Sequence, residues 1–178
     1  MMQNNSETSD NELFEKIYPK VLDFVAYQPR TIKEVLDKIY KLGIKWKLSS
    51  ETTSMLQIRI ITELKQVHLL DDRDYAQTYI SQKLSGKPVS SQKLKTFLFK
   101  KGVAAEIINE TLQGLSSEFE FDAAFAEAEK KLKIFQTAKN VKRFAPFQLR
   151  QKIYAYLAGK GYPSDICSRV VDSLPSLK

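Results

Sequence analysis

TIKEVLDKIYKLGI, at residues 31–44, is the stretch that decides the fold, because its pattern occurs three times at equal intervals. The pattern is a helix start, two apolar residues four positions apart, a glycine, and an apolar residue directly after that glycine. It returns as SSQKLKTFLFKKGV at 90–103 and as LRQKIYAYLAGKGY at 149–162. Self-similarity at a fixed interval is typical of stacked supersecondary units. The shared positions are Val35, Ile39, Gly43 and Ile44; Leu94, Leu98, Gly102 and Val103; and Ile153, Leu157, Gly161 and Tyr162.

Every module reads as helices, because apolar residues recur at helical spacing and no stretch alternates as a strand does. In the first module, Pro19 is predicted in the first turn of the first helix, where its missing amide costs nothing. Thr31 and Glu34 form a capping box that starts the second helix, and Gly43 is predicted to end it as a left-handed C′ residue. A third helix is predicted over 50–67. Its apolar face is predicted at Ile58, Ile61 and Leu64.

Aspartates are predicted to start the first helices of the second and third modules. Asp72 and Asp122 are each followed at the same spacing by an aromatic residue and an alanine. Aspartate is a preferred N-cap because its carboxylate accepts hydrogen bonds from the first free amides of a helix. Both aspartates are therefore predicted to cap equivalent helices, in preference to acid–base or metal chemistry.

Short helices are marginal alone, so their apolar faces must be buried on neighbouring modules. The sequence therefore predicts an all-α fold of three tandem three-helix repeats in an elongated, curved, solenoid-like row. The predicted boundaries are a disordered N-terminal tail at 1–11, then repeats at 12–70, 71–117 and 118–178.

The composition is that of an ordinary helical protein with an excess of positive charge. Of 178 residues, 28 are Lys or Arg and 21 are Asp or Glu, which gives a net charge of +7. Such a balance fits a polyanionic partner. No apolar run approaches the ~18 residues of a membrane span, and the start of the chain lacks the pattern of a secretory signal. The single cysteine, Cys167, is predicted in the core of a reduced, cytoplasmic protein.

Residues that carry chemistry are scarce. The chain has one histidine, one cysteine, no phosphate-binding glycine loop and no metal-ligand spacing. His68 lies near the end of a predicted helix, and Asp71 beside Asp72 fits capping. No catalytic, cofactor or metal site is therefore predicted, and the protein is predicted not to be an enzyme. Trp46, between two lysines, is predicted either as a core plug or as an exposed partner contact.

The candidate binding residues are basic side chains around the second helices of modules two and three. Lys93 and Lys152 occupy equivalent positions nine residues before their glycines, so stacking is expected to align these charges along one face. The alternative is a set of solvated helix faces, with some lysines complementing the helix dipole. The full candidate set is Lys93, Lys95, Lys100, Lys101, Lys142, Arg143, Arg150 and Lys152.

A helix, a glycine turn and a further helix also describe the helix-turn-helix DNA reader. A recognition helix normally begins with polar or basic residues. The residues after Gly102 and Gly161 include acidic side chains, which would repel phosphates. A freestanding helical DNA-binding protein is therefore the alternative interpretation.

Three stretches make the chain similar to the RecX family of RecA regulators. They are the segment from Tyr27 to Thr31 followed by Gly43, the segment 70–76, and the segment from Leu94 to Val103. The segment 70–76 is the most specific. Its motif residues are Asp71, Asp72, Tyr75 and Ala76.

The resemblance covers about residues 19–174 and implies three tandem three-helix repeats in a cytoplasmic protein without a cofactor. It implies binding along the groove of the RecA filament, with single- or double-stranded DNA contacted through the filament. It also implies that recombinase, ATPase and coprotease activities are limited during DNA repair and the SOS response, by a protein expected to be a monomer. The chain departs from the family pattern by extra residues around 46–53 and by Ser90 and Ser91 where basic residues are common.

Overall fold

The structure is a computed structural model that describes residues 4–86, 89–137 and 145–175. In those ranges the chain forms nine α-helices and no strand. The predicted all-α fold of three successive three-helix modules is confirmed. The helices are α1 (Asn4–Tyr27), α2 (Ile32–Lys45), α3 (Ser50–Gln66), α4 (Asp72–Ser85), α5 (Ser91–Lys100), α6 (Ala105–Leu112), α7 (Ser117–Thr137), α8 (Pro146–Gly159) and α9 (Ser164–Ser173).

These helices pack into two compact units. Of the described residues, the first unit contains those up to Thr78 and Leu98–Ile107, and the second contains those of Tyr79–Phe97 and those from Ile108 onward. The middle module, α4 to α6, therefore contributes chain to both units. Its later helices are short, with 10 residues in α5 and 8 in α6, and helices of that length have little apolar surface with which to build a separate core.

All three apolar pairs of the repeated pattern behave as predicted. Their side chains are at most 1% exposed. This agreement follows from helical geometry, because residues four positions apart lie on one face of a helix. The six residues are Val35, Ile39, Leu94, Leu98, Ile153 and Leu157.

The core of the first unit lies among α1, α2 and α3, and on α3 it uses a different face from the predicted one. Leu56, Ile60 and Leu64 recur every four residues and are buried. Ile58 is two positions from Leu56, about 200° around the helix, and it is 71% exposed. The prediction that placed Ile58 in the core is therefore wrong. Trp46 is partly buried against this core, which favours the core-plug interpretation.

Helix α1 begins earlier than predicted. It starts at Asn4, so residues 4–11, predicted to be a disordered tail, belong to a helix. Pro19 consequently lies inside α1 and not in its first turn. A proline there removes one backbone hydrogen bond. The burial of Ile17 and Val21 on either side of it offsets that cost.

Gly43 does not end α2, and the predicted left-handed conformation is wrong. The helix continues to Lys45, and positive φ occurs instead at Lys47, with a φ of 56°. A Cβ on Gly43 would lie 2.6 Å from Thr53 Oγ1, so glycine is needed for the close approach of α2 and α3. Because the helix continues, Ile44 turns outward and is 61% exposed.

The core of the second unit lies among α7, α8 and α9. Ala124 and Ala128 of α7 are buried there together with Ile153 and Leu157 of α8. Cys167 of α9 is fully buried in the same core as a free thiol, so its predicted position is confirmed. Pro146 is the first residue of α8, where its missing amide removes no helical hydrogen bond.

Candidate partner-binding surface

A hydroxyl joint links the second helix of one module to the second helix of the next, and it occurs twice. In the first unit, the Thr31 hydroxyl donates to the carbonyl of Lys101 at 2.7 Å. In the second unit, the Ser90 hydroxyl donates to the carbonyl of Lys160 at 2.8 Å. Both hydrogen bonds span 70 residues of chain, and both hydroxyls are fully buried. The sequence repeat therefore reflects a repeated tertiary contact.

The glycine at each joint is required by its backbone conformation and by its surroundings. Gly102 and Gly161 both have a φ of 85°, a left-handed conformation that favours glycine. A Cβ on Gly102 would lie 2.6 Å from the Lys33 Cβ, and one on Gly161 would lie 3.2 Å from the Gln92 Cβ. Two of the three repeated glycines thus belong to the joints, whereas Gly43 packs α2 against α3.

Carboxylates complete the joints, and Asp72 has a different role from the predicted one. Asp72 Oδ1 accepts from the amide of Ile32, the first residue of α2, at 2.9 Å. In the second unit, Glu120 takes the equivalent position and accepts from the Ser91 amide at 3.1 Å. Asp72 therefore caps α2 and not its own helix. Burial raises the pKa of the Asp72 carboxyl, and the amide hydrogen bond opposes that rise.

The starts of α4 and α7 are capped by other residues. Asp71 Oδ1 accepts from the amides of Arg73 at 2.7 Å and Asp74 at 3.3 Å. Helix α7 starts at Ser117, and the hydroxyl of Ser116 accepts from the Phe119 amide at 3.1 Å. Asp122 lies inside α7, so its predicted capping role is wrong. The spacing shared with Asp72 wrongly predicted a helix start at Asp122, because α7 begins five residues earlier, at Ser117.

The rest of the 70–76 motif is structural as well. Ala76 is fully buried, and Tyr75 is partly buried. Burial, the largest of several influences, raises the pKa of the Tyr75 hydroxyl. The motif thus fixes the start of α4 through Asp71, the start of α2 through Asp72, and the packing of α4 through Ala76.

Lys101, a predicted binding residue, is engaged inside the first joint. Its ammonium lies 2.7 Å from Glu34 Oε1, and Arg30 lies 3.8 Å from the same oxygen. Burial alone would raise the pKa of Glu34, but the hydrogen bonds from Lys101 and the Thr31 amide lower it below its usual value. The hydrogen bond that the Lys101 ammonium donates to Glu34 is the main reason that the pKa of Lys101 is raised. Lys101 therefore stabilises the joint.

The other predicted cations differ in their surroundings. Lys93, Lys100 and Lys152 are exposed. Lys95 is exposed and donates to Asn109 Oδ1 at 3.1 Å, and Arg150 forms an ion pair with Asp172. Lys142 and Arg143 lie outside the described residues.

Aromatic residues share a helix face with two of the exposed lysines, a feature that the sequence patterns alone did not predict. Phe97 is four residues after Lys93 on α5, and Tyr156 is four residues after Lys152 on α8. Residues at that spacing share a helix face. Because Phe97 and Tyr156 both stand five residues before a repeated glycine, the repeat itself could have indicated them. We call these two pairs the lysine–aromatic faces of the second unit.

Further lysines surround the aromatic rings. Phe97 stacks on Tyr79 with ring centroids 4.2 Å apart, and the Lys83 ammonium lies 5.3 Å from the Tyr79 centroid. Tyr156 has the ammonium groups of Lys131 and Lys160 at 5.1 and 5.2 Å from its centroid. Basic groups beside aromatic rings are the side-chain combination that binds single-stranded nucleic acids, since phosphates pair with the cations and bases stack on the rings.

The described residues contain neither a cluster of metal-ligating side chains nor a membrane-spanning helix. Among the residues with a described placement, no group of three or more His, Cys, Asp and Glu side chains is arranged to hold a metal ion. None of the helices that could be searched is long and apolar enough to cross a bilayer. His68 is exposed and has a φ of 55° at the end of α3.

Comparison with known proteins identifies relatives along most of the chain. Family models for the second and third three-helix domains of RecX match residues 71–112 and 118–171. Regulatory protein RecX of Clostridium beijerinckii is 32% identical over 163 residues, covering 92% of this chain and 70% of that protein. Regulatory protein RecX of Clostridium perfringens (strain 13 / Type A) is 34% identical over 145 residues, covering 82% and 62%. The chain thus spans less than two thirds of the length of the C. perfringens relative.

Solved structures share the fold. RecX from Lactobacillus salivarius aligns with a TM-score of 0.74 and 25% identity over 94% of this chain and 97% of that one. A second crystal structure, of regulatory protein RecX, aligns with a TM-score of 0.76 and 21% identity over 94% and 76% of the two chains. The helix order, the two matching domain models and the identity to the C. beijerinckii protein lead to one conclusion: this chain belongs to the RecX family of regulatory proteins.

Proposed function

We propose that this protein binds the RecA filament on DNA and inhibits its recombinase, ATPase and coprotease activities. The observation that carries the proposal, beside family membership, is the pair of lysine–aromatic faces at equivalent positions of α5 and α8. A filament repeats its surface, and a protein with repeated faces can contact it more than once. Weak contacts linked in one chain combine through high effective concentration.

The charge of the protein supports the same partner. The net charge of +7 favours association with a polyanion such as a DNA-containing filament. The proposal gives Lys93 and Lys152 the role of contacting phosphates or acidic filament groups, with Phe97 and Tyr156 beside them. It includes Lys95 and Lys100 as neighbouring contacts, and Lys142 and Arg143 as candidates from the sequence. It further holds that the protein acts in the cytoplasm as a monomer, without catalytic activity of its own.

The test is the RecA ATPase and strand-exchange activity on single-stranded DNA with added protein. We expect inhibition at well below one protein per RecA subunit, since a filament binder does not need to cover the DNA. The double variant Lys93→Glu with Lys152→Glu should lose most of the inhibition. The matched control is Lys16→Glu with Lys20→Glu, which makes the same charge change at exposed positions of α1 and should inhibit like the wild type.

The salt dependence of binding separates phosphate contacts from protein contacts. If both lysines bind phosphates of single-stranded DNA, the slope of log K against log salt should become shallower by about 0.7 for each phosphate that the variant no longer neutralises. Inhibition that requires enough protein to saturate the DNA, or equal inhibition by the double variant and its control, would contradict the proposal.

A freestanding helix-turn-helix DNA reader is the competing hypothesis. The helices after the joint glycines, α6 and α9, carry acidic residues in their first turns, Glu106 and Asp165. Carboxylates there would face phosphates if these helices entered a groove. Tight binding to naked duplex DNA, with RecA inhibited only through loss of its DNA, would favour this hypothesis.

A further inference from the structure

A groove lies between α8 and α9, along the flank of α8 beside its core-facing side. Its volume is about 430 Å³, and its lining includes Phe147 and Tyr154 from α8 with Val171 and Asp172 from α9. Phe147 is 66% exposed and Tyr154 is 37% exposed. Large apolar side chains clustered at a groove mark interaction sites more often than single exposed ones do.

Helix α8 has two apolar faces, and packing within the unit accounts for one of them. Ile153 and Leu157 are buried in the core. Phe147 and Tyr154 are seven residues apart, two helical turns, and form a second face with Arg150 between them. Burial of the core does not require this second face.

The charges of the groove distinguish it from the lysine–aromatic faces. Arg150 pairs with Asp172, so the cation that lines the groove is already compensated. The side chain of Asp172 remains 66% exposed, and Asp165 is exposed seven residues earlier on the same face of α9. The groove thus combines an apolar wall from α8 with an edge on α9 where Asp165, next to the lining, is the carboxylate left over after the Arg150–Asp172 pair, in a chain whose net charge is +7.

These charges decide among the possible occupants. A nucleic acid would bring phosphates to the acidic edge, where the described lining holds no uncompensated cation. A second copy would bring another net charge of +7, which opposes self-association. A polypeptide segment with apolar side chains and a Lys or Arg fits this groove, because the apolar groups fill it and the cation meets Asp165, the carboxylate at its edge that is not used by the Arg150–Asp172 pair.

We propose that the α8–α9 groove docks a cationic amphipathic helix of the RecA subunit. Helix-in-groove docking uses apolar side chains three or four residues apart, and a groove of about 430 Å³ accommodates two large ones. This inference rests on the proposed function and adds a protein-to-protein contact to it. The protein would then contact the filament in two ways. The lysine–aromatic faces bind anionic groups, and the groove binds an apolar, basic segment.

The test measures binding of the full chain to RecA-coated single-stranded DNA. The groove variant is Phe147→Ser with Tyr154→Ser, and we expect a loss of affinity of at least tenfold. The control is Tyr27→Ser with Ile58→Ser, which removes one exposed tyrosine and one other exposed large apolar side chain in the first unit and should bind like the wild type. Circular dichroism and thermal unfolding verify that both variants are folded.

Photo-crosslinking identifies the occupant independently of the affinity. Gln151, which lines the groove, is replaced by p-benzoylphenylalanine, and Lys20 on α1 is replaced in the same way as the control position. We expect irradiation of the Gln151 protein on filaments to yield a crosslink to a RecA peptide that contains Lys or Arg.

Crosslinks from the Gln151 position to DNA or to a second copy overturn the inference, as does equal affinity of the groove variant and the wild type. Those results leave the proposed function intact if wild-type protein binds the filament. Failure of the wild type to bind RecA-coated DNA overturns both.

Discussion

Replacing Gly102 by alanine tests the joint most directly, because the added methyl group destabilises the fold in two ways, through the backbone conformation and through a steric clash. The left-handed conformation, with a φ of 85°, costs an L-residue about 1–2 kcal/mol. The added Cβ would also lie 2.6 Å from the Lys33 Cβ. Relief of such overpacking costs a further ~1–3 kcal/mol. We therefore expect Gly102→Ala to lower the free energy of unfolding by about 2–5 kcal/mol.

Two other glycines make this a graded series. Gly161 has the same φ of 85°, but its nearest neighbour, the Gln92 Cβ, would lie 3.2 Å from the new methyl group. Gly161→Ala should therefore cost about 1–2 kcal/mol, mostly from the conformation. Gly159 is helical, and a Cβ there meets nothing within 4 Å. Gly159→Ala should be neutral or stabilising by up to ~1 kcal/mol.

Urea titration of the three variants, followed by circular dichroism, gives the comparison. The expected order of stability is Gly159→Ala, then Gly161→Ala, then Gly102→Ala. If Gly102→Ala loses no more than Gly161→Ala, the close approach of Lys33 is wrong. If both match Gly159→Ala, the left-handed conformation at the joints is refuted.

Three further changes probe the joints through unfolding titrations. Ser90→Ala leaves the Lys160 carbonyl without its donor and should cost about 1–3 kcal/mol, so a loss below ~0.5 kcal/mol would contradict the second joint. Asp72→Ala should lower the free energy of unfolding by ~1–2 kcal/mol. Asp72→Asn can still accept from the Ile32 amide, so its stability should stay near that of the wild type. Equal losses in the two variants would show that the negative charge of Asp72, and not only its hydrogen bond, contributes to stability. Since the pKa of Glu34 is lowered, the stability that Glu34 contributes is present above its ordinary pKa of 4.5 and is lost as pH falls through the folded value. Glu34→Gln should therefore remove a part of the acid-induced loss, under ~1 kcal/mol for this partly exposed pair, and an unchanged pH profile would exclude Glu34 as its source.

Most of the fold follows from local sequence patterns. The three apolar pairs were predictable because helical spacing alone puts both residues of a pair on one face, and helix geometry holds whatever the partner is. Pro146 was predictable for a similar reason, since proline at a first turn loses no hydrogen bond. Failures occurred where a tertiary contact changed the meaning of a residue. Gly43 carries the sequence signal of a helix end, but Thr53 of α3 approaches it so closely that glycine is needed inside the helix.

The joints lay beyond local patterns because their acceptors have no sequence signal. The Thr31 hydroxyl was predicted to cap α2, and it does accept from the Glu34 amide. Its donation to the carbonyl of Lys101 spans 70 residues, and any residue could supply that carbonyl. The same holds for Asp72, whose neighbour Asp71 took the capping role that either aspartate could have filled.

Two residue differences between modules explain why the lysine–aromatic faces occur on α5 and α8 and not on α2. Five residues before its glycine, the first module has Lys38 where α5 has Phe97 and α8 has Tyr156. Nine residues before its glycine, the first module has Glu34, which pairs with Lys101 across the first joint. The second module has Lys93 at that position. A lysine there cannot pair with Lys160, and Lys160 lies instead within 4.0 Å of Glu127. The charge that holds the first joint is thus reversed at the equivalent position of the second, where the exposed Lys93 is available to a partner.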